Sequence, residues 1–257
     1  MNDPHSYPHR NVKWPPKDQM VIGVHAIREL FDHAPERLIR IFTVKGKGER
    51  KSELLESCEK KGIPIVYTSL DDLTKMAGSE SHQSLVAHIR GRSFLDVKEF
   101  LEKTEEQERV FVLMLDQIFD PQNFGAILRS AECFGVDAVA WSKNRGCDLT
   151  PVVAKSSCGA SEIIPLIRIS NLADSVEKFQ KGGFEVVAAL LDPKSESAFG
   201  FKYAPKTVLV VGSEGEGIQP LIQKKADRSI YIPMSGKIGS LNVAQATAVL
   251  LALNNLD

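Results

Sequence analysis

The strongest constraint on the fold is the alternation of short apolar runs with helical segments after residue 110. Continuous apolar runs of this kind suit strands that are covered on both faces, and strand–helix alternation predicts a parallel sheet. We therefore predict an α/β domain over residues 110–257. Its strands are predicted at 110–115, 138–141, 164–169, 184–190, 208–211 and 229–232, and its helices at 123–134, 152–159, 171–181, 218–226 and 241–253.

A smaller α/β unit is predicted over residues 20–92, ahead of this domain. Residues 93–109 are richer in charge and are interpreted as a connecting helix or linker, and residues 1–19 as a flexible tail. In the smaller unit, helices are expected at 24–32, 53–61 and 70–76, and strands at 38–44, 62–67 and 85–89.

Composition excludes several classes of protein. No apolar run is long enough to span a bilayer, and the N-terminal residues lack the apolar core of a signal peptide, so we expect a cytoplasmic protein. The four cysteines include no Cys-x-x-Cys pair, which argues against a disulfide framework or a zinc site. The formal net charge of −1 provides no overall attraction to nucleic acid.

One segment of the smaller unit is strongly basic. Between residues 37 and 51 a single acidic residue, Glu49, stands against Arg37, Arg40, Lys45, Lys47, Arg50 and Lys51. Such a run has two interpretations at this point: a solvated surface loop, or a set of contacts to RNA phosphates.

Three segments place polar residues just after a predicted strand. Asn123 and Arg129 follow the first strand of the larger domain, Glu214 lies in a glycine-rich loop, and Ser240 and Asn242 precede the last helix. Taken singly, these residues could be helix caps or surface ion-pair partners. Ligands of parallel α/β sheets lie beyond the carboxyl ends of the strands, so together the residues predict one composite site.

The residues also limit the chemistry of that site. The glycine-rich loop lacks the Lys-Ser/Thr pair of a P-loop, and it comes too late in the chain for a dinucleotide fingerprint. No histidine follows His88, which argues against Ser-His-Asp catalysis and against a catalytic zinc. The remaining candidates suit positioning and charge stabilisation better than covalent catalysis.

The three segments, residues 116–129, 210–217 and 232–246, closely resemble the three motifs of the SpoU branch of the SPOUT RNA methyltransferases. The resemblance extends into the first half of the chain, at residues 22–27, 34–37 and 82–87. This layout is similar to that of bacterial 23S rRNA guanosine-2'-O-methyltransferases, which have an N-terminal ribosomal-protein-like domain for substrate RNA.

The resemblance implies a fold and a cofactor. The larger domain is expected to be a SPOUT α/β domain with a deep trefoil knot, and the protein a homodimer with its sites near the subunit interface. The knot would form a pocket for S-adenosylmethionine. By motif position, this cofactor is expected to contact Leu190, Gly212, Ile232 and Leu241.

The resemblance also implies an activity, the 2'-O-methylation of a ribose in RNA, most specifically of a guanosine in 23S rRNA. Arg129 matches the catalytic arginine of the family, and we expect it to hold the adjacent phosphate and to stabilise developing alkoxide charge. Asn123 and Glu214 would orient Arg129 and the ribose, while Ser240 and Asn242 would shape the third-motif loop. A phosphate oxygen or water is expected to accept the proton.

Three other functions remain open from the sequence. The chain could methylate tRNA, or it could modify ribosomal RNA to confer antibiotic resistance. It could also be a non-catalytic RNA-binding factor in ribosome assembly. One fold can host several functions. Measuring whether S-adenosylmethionine binds would distinguish this non-catalytic factor from the two enzymes.

Overall fold

The computed structural model describes residues 19–45, 49–192 and 194–254. In chain order the strands are β1 (Met20–Ile22), β2 (Leu38–Thr43), β3 (Ile65–Tyr67), β4 (Leu85–Ile89), β5 (Val110–Asp116), β6 (Ala138–Trp141), β7 (Leu166–Arg168), β8 (Glu185–Ala189), β9 (Glu196–Ser197), β10 (Lys206–Gly212) and β11 (Arg228–Tyr231). The α-helices are α1 (Val24–His33), α2 (Glu49–Lys60), α3 (Leu70–Ala77), α4 (Val97–Lys103), α5 (Pro121–Cys133), α6 (Pro151–Ser156), α7 (Ala160–Ile163), α8 (Leu172–Lys181), α9 (Pro220–Lys225) and α10 (Val243–Asn254).

The chain forms two compact units. The first contains the residues up to Arg92 together with Leu149–Ile163, and the second contains Ser93–Asp148 together with the residues from Ile164 onward. The longer strands and most of the helices agree with the sequence-based prediction, except for the helix predicted at 152–159. The prediction missed β1 and β9, because runs of three and two residues are too short to show a period.

The first unit is a four-stranded sheet with helices on both faces. Its strand order is β1-β4-β2-β3, in which only β2 and β3 run parallel. Ile27 and Leu30 of α1 are buried against one face, and Leu73 and Met76 of α3 against the other. The amphipathic helices therefore enclose a sheet that is apolar on both sides.

A turn ahead of β4 contains two residues with left-handed backbone, Gln83 (φ 52°) and Ser84 (φ 56°). Gln83 Oε1 accepts a hydrogen bond from the backbone N–H of Val24 at 3.1 Å, at the start of α1. The buried His82 accepts one at Nδ1 from Ser84 N at 3.0 Å. Burial and the charge of Lys155 lower the pKa of His82. Residues 82–84 therefore have a structural role, because they hold the turn ahead of β4 against the start of α1.

Helices α6 and α7 pack into the first unit although they follow β6 in the chain. The sequence predicted one helix at 152–159 inside the larger domain, whereas the helix breaks at Cys158 and Gly159, whose φ angles are 51° and 92°. A Cβ atom on Gly159 would lie 2.8 Å from Glu29 Cβ and 3.1 Å from Ala26 Cα of α1. The absence of a side chain therefore allows this segment to approach α1 closely.

Gly159→Ala should destabilise the protein more than Gly62→Ala does. Gly62 also has a positive φ of 76°, but a Cβ there meets nothing within 4 Å. We expect Gly62→Ala to lower the free energy of unfolding by about 1 kcal/mol through backbone strain. Gly159→Ala adds a steric clash and should cost about 2–4 kcal/mol. Urea denaturation of both variants measures the difference, and equal losses would contradict the close packing against α1.

The second unit is a parallel seven-stranded sheet in the order β7-β6-β5-β10-β8-β11-β9. Val112 and Met114 of β5 pack with Val176 and Phe179 of α8 on one face. The side chains of Leu113 and Leu115, which alternate with Val112 and Met114 along β5, are buried on the opposite face. Helices α5 and α10 also contact one another. The predicted parallel α/β fold is therefore confirmed.

Residues 93–109 contribute to the core of this unit. Within them, α4 is capped by Asp96, whose side chain accepts a hydrogen bond from Glu99 N at 2.8 Å. Val97 and Phe100 are buried, and the Phe100 ring contacts Phe179 edge-on with centroids 6.2 Å apart. The charged residues within α4 lie on the exposed face of an amphipathic helix, and those after Lys103 follow its end.

Candidate active site

The carboxyl ends of the strands bring Asn123, Glu214 and Asn242 into direct contact. Asn123 Nδ2 donates to Glu214 Oε1 at 3.0 Å, and Asn242 Nδ2 donates to Asn123 Oδ1 at 2.9 Å. Asn242 Nδ2 also donates to Glu214 Oε1, as does the backbone N–H of Val243 at 3.3 Å. Three of the predicted site residues, one from each segment, thus form a single hydrogen-bonded network.

Both asparagines lie at helix N-termini. Asp120 caps α5 by accepting from Gln122 N at 2.6 Å and from Asn123 N at 3.3 Å. Asn242 Oδ1 accepts from Ala244 N at 2.9 Å at the start of α10. Asn242 is therefore a helix cap and a member of the network at once. Helix N-termini favour negative charge, and the Glu214 side chain lies at the N-terminus of α10.

The glycine-rich loop after β10 closes on itself. Ser213 and Gly217 exchange backbone hydrogen bonds of 3.1 and 3.0 Å, with Gly217 at φ 67°. A Cβ atom on Gly212 would lie 2.2 Å from the carbonyl carbon of Gly217. The close approach of Gly217 therefore requires glycine at position 212, whether or not a ligand binds there. The loop presents Glu214 at its tip.

A buried carboxylate beneath this loop was missed by the sequence reasoning. Asp116 is fully buried at the end of β5. It accepts hydrogen bonds from Gln219 N at 2.7 Å and from Gln219 Nε2 at 2.6 Å. Arg145 Nη1 in turn donates to Gln219 Oε1 at 2.6 Å. The sequence signal was an acidic residue ending an apolar strand, but its partners lie far away in the chain.

A cavity of about 380 Å³ adjoins the network. Its walls come from residues 189–192, the glycine-rich loop, and the segments before and within α10. All four predicted cofactor-binding positions line it, namely Leu190, Gly212, Ile232 and Leu241, and so do Glu214 and Ser240. Apolar walls with acidic groups at the edge suit a small ligand that combines an apolar ring system with positive charge.

Arg129 and Ser240 lie outside the network. Arg129 is exposed on α5 and makes no hydrogen bond or ion pair with any residue that the structure describes. Ser240 lines the cavity from an exposed segment ahead of α10. The structure therefore brings together Asn123, Glu214 and Asn242, and leaves the Arg129 guanidinium available to a ligand.

The basic residues between 37 and 51 differ in their exposure and in their contacts. The Arg37 side chain is mostly buried and pairs with Glu162 at 2.8 Å. Lys51 Nζ donates to Val44 O at 3.1 Å, and burial lowers its pKa. Lys45 is exposed, 5.9 Å from the centre of the Tyr67 ring. Arg40 lies on β2, while Lys47 and the Arg50 side chain lie outside the described residues.

The described residues contain no helix long and apolar enough to cross a membrane. Within the same ranges, no group of three or more His, Cys, Asp or Glu side chains is placed to hold a metal ion.

Comparison with known sequences identifies the family. The sequence model of the SpoU rRNA Methylase family matches residues 110–252, and that for RNA 2'-O ribose methyltransferase substrate binding matches residues 20–95. The chain belongs to the SpoU rRNA methylase family. A similar protein is the 23S rRNA (guanosine-2'-O-)-methyltransferase RlmB of Acinetobacter baylyi, which is 34% identical over 237 residues, covering 91% of this chain and 96% of the relative.

Solved structures of the family have the same fold. An RNA methyltransferase of the TrmH family from Porphyromonas gingivalis superposes with a TM-score of 0.71 at 25% identity, covering 91% of this chain and 88% of that one. The SpoU methyltransferase AviRb from Streptomyces viridochromogenes, in complex with the cofactor AdoMet, superposes with a TM-score of 0.73 at 22% identity. The match covers 92% of this chain and 89% of that one.

Replacing Gln219 by Met should destabilise the second unit. The substitution removes one of two hydrogen bonds to the buried Asp116 carboxylate and also the acceptor for Arg145. Leaving a buried charged group short of a partner costs about 1–3 kcal/mol. Urea denaturation measures the loss against Gln107→Met, in which an exposed glutamine is replaced. Similar stabilities for the two variants would show that this contact contributes little.

Proposed function

We propose that this protein transfers the methyl group of S-adenosylmethionine to a ribose 2'-hydroxyl in RNA. The observation that carries the proposal is the network of Asn123, Glu214 and Asn242 beside the cavity. This arrangement lies in the domain that matches the SpoU rRNA Methylase family. The similar RlmB proteins are named 23S rRNA guanosine-2'-O-methyltransferases, which supports a guanosine of 23S rRNA as the substrate.

The cavity fits the cofactor in size and in chemistry. Leu190, Ile232 and Leu241 offer apolar contact to an adenosine ring system, and the acidic Asp192 and Glu216 in the cavity wall suit a cationic ligand. When bound, S-adenosylmethionine supplies an electrophilic methyl group for an in-line attack. The chain's own contribution is to hold the ribose oxygen in line with that methyl group and to exclude water.

Arg129 is assigned to the RNA phosphate next to the reacting ribose. A guanidinium is protonated at every relevant pH and carries no acceptor, so Arg129 cannot remove the hydroxyl proton. It can bind two phosphate oxygens at once and offset negative charge that develops near the reacting oxygen. Its exposed position on α5, the helix that also carries Asn123, supports this role.

Arg129→Ala should reduce kcat/KM for RNA about 100- to 1000-fold, because a charged transition-state contact is lost. The dissociation constant of S-adenosylmethionine should stay within about threefold, since Arg129 is not a lining residue of the cavity. Tritiated methyl transfer to rRNA from a strain that lacks the gene measures the first quantity, and calorimetry the second. Near-normal turnover of the variant would contradict the role of Arg129.

We also propose that residues 20–92, which form most of the first unit, bind the RNA substrate, since residues 20–95 match the substrate-binding family. The triple variant Lys45→Gln, Lys47→Gln, Arg50→Gln should weaken RNA binding. The slope of log affinity against log salt should fall by roughly 2, since each lost phosphate contact removes about 0.7. Filter binding across a salt series measures it. The control is the equal charge change Lys98→Gln, Lys103→Gln, Lys178→Gln on exposed helix positions.

Three further properties belong to this proposal. A trefoil knot in the second unit follows from the family resemblance. A homodimer follows from the family resemblance, and sedimentation equilibrium tests it. A cytoplasmic location follows from the proposed rRNA substrate.

The identity of the methylated nucleotide is tested by mapping ribose methylation in total RNA from a strain that lacks the gene. Loss of one guanosine methylation in 23S rRNA supports the proposal. Loss of a tRNA methylation would assign the protein to tRNA modification instead. If S-adenosylmethionine does not bind in calorimetry, the protein is a non-catalytic RNA-binding factor.

A further inference from the structure

The two carboxylate oxygens of Glu214 have different surroundings. Oε1 accepts three hydrogen bonds, from Asn123 Nδ2, Asn242 Nδ2 and Val243 N. Oε2 receives none from the residues that the structure describes, and the side chain lies in an exposed position at the cavity. One oxygen therefore fixes the carboxylate, and the other is left for a ligand.

The neighbouring groups determine how the network is oriented. Asn242 Oδ1 accepts from Ala244 N, so exchanging the oxygen and nitrogen of this amide would set two donors against each other. With Asn242 Nδ2 facing Asn123 Oδ1, the Asn123 nitrogen must face Glu214. All three contacts to Oε1 are thus donors, so any proton that Glu214 takes up must go to Oε2.

Other proton acceptors near the cavity are less well placed. The second unit contains no histidine, because the last one in the chain is His88. Arg129 carries no acceptor. Asp192 and Glu216 also line the cavity, but Asp192 Oδ1 accepts from Lys194 N at 2.8 Å within its own loop, and the Glu216 side chain has no hydrogen bond with the residues that the structure describes. Glu214 alone among these groups is held by residues from both of the other motif segments.

We propose that Glu214 Oε2 accepts the proton of the ribose 2'-hydroxyl during methyl transfer. This inference rests on the proposed function. As the ribose oxygen forms its bond to the methyl carbon, the methyl–sulfur bond breaks and its electron pair stays on sulfur. The hydroxyl proton passes to Glu214 Oε2 and is later released to water. The acceptor is then a side chain, in place of the phosphate oxygen or water expected from the sequence.

A carboxylate can fill this role if it accepts the proton late. It is too weak a base to ionise a free hydroxyl before the attack. Once the new carbon–oxygen bond has begun to form, the oxygen becomes positively charged and its proton strongly acidic. A fixed carboxylate oxygen within hydrogen-bond reach then suffices. On this assignment, Arg129 serves mainly to hold the adjacent phosphate.

Glu214→Gln is the sharpest test, because the glutamine oxygen can keep the three hydrogen bonds while an NH₂ group replaces Oε2. At saturating RNA and S-adenosylmethionine, kcat should fall about 100-fold or more. The dissociation constants of S-adenosylmethionine and of its neutral product S-adenosylhomocysteine should each change less than about threefold, a small effect on the scale of binding free energies. The control is Glu132→Gln, an exposed substitution on α5, which should retain kcat.

A second variant keeps the proposal testable if Glu214→Gln disturbs the structure of the loop. Glu214→Ala vacates a carboxylate-sized space between Asn123 and Asn242, so added formate should restore part of kcat in this variant and none in Glu214→Gln. The proposal is overturned if Glu214→Gln keeps kcat within about fivefold of wild type, a loss of less than about 1 kcal/mol in transition-state stabilisation. It is also overturned if the loss lies only in S-adenosylmethionine affinity, or if formate restores nothing.

These results are separable from failure of the proposed function. If the wild-type protein binds no S-adenosylmethionine and transfers no methyl group to RNA, the proposed function itself is wrong. If the wild type methylates RNA but Glu214→Gln retains kcat, loses only S-adenosylmethionine affinity, or formate fails to rescue Glu214→Ala, only the assignment of the proton acceptor is wrong.

Discussion

The register of β10 in the parallel sheet determines where everything else in the second unit lies. β10 pairs with β5 from Lys206 opposite Val110 to Gly212 opposite Asp116, and with β8 on its other side. β5 and β10 therefore end at the same level of the sheet. The glycine-rich loop after β10 thus begins beside Asp116, the first residue of the segment 116–129. A shift of one residue would turn every β10 side chain to the other face and would move Glu214 away from Asn123.

The buried Asp116 reinforces this register. An uncompensated buried carboxylate is costly, and Asp116 is compensated by the backbone and the side chain of Gln219, a residue just beyond the glycine-rich loop. The loop is thus held at both ends, by the β10 ladder before it and by Asp116 after it. A loop fixed in this way can present one carboxylate at a defined position, which is what preorganised catalysis by position and charge requires.

Much of this arrangement was accessible from the sequence, because it follows from local patterns. Apolar runs predicted the parallel strands, and polar residues at strand ends predicted that Asn123, Glu214 and Asn242 meet. The contacts of Gln219 with Asp116 and with Arg145 were not accessible, since nothing local to any of these residues indicates its partner. The role of α4 was missed for a different reason. Its many charged residues mask the two side chains, Val97 and Phe100, that enter the core.

The packing of Leu149–Ile163 into the first unit affects how the protein is made. A ribosome synthesises residues up to Arg92 long before α6 and α7 emerge, after β5, α5 and β6 have already appeared. Until then the surface of α1 around Ala26, where Gly159 packs, remains uncovered. The first unit therefore gains part of its packing only after these helices have been synthesised. A gene fusion that cuts the chain after Arg92 would separate this unit from part of its own structure.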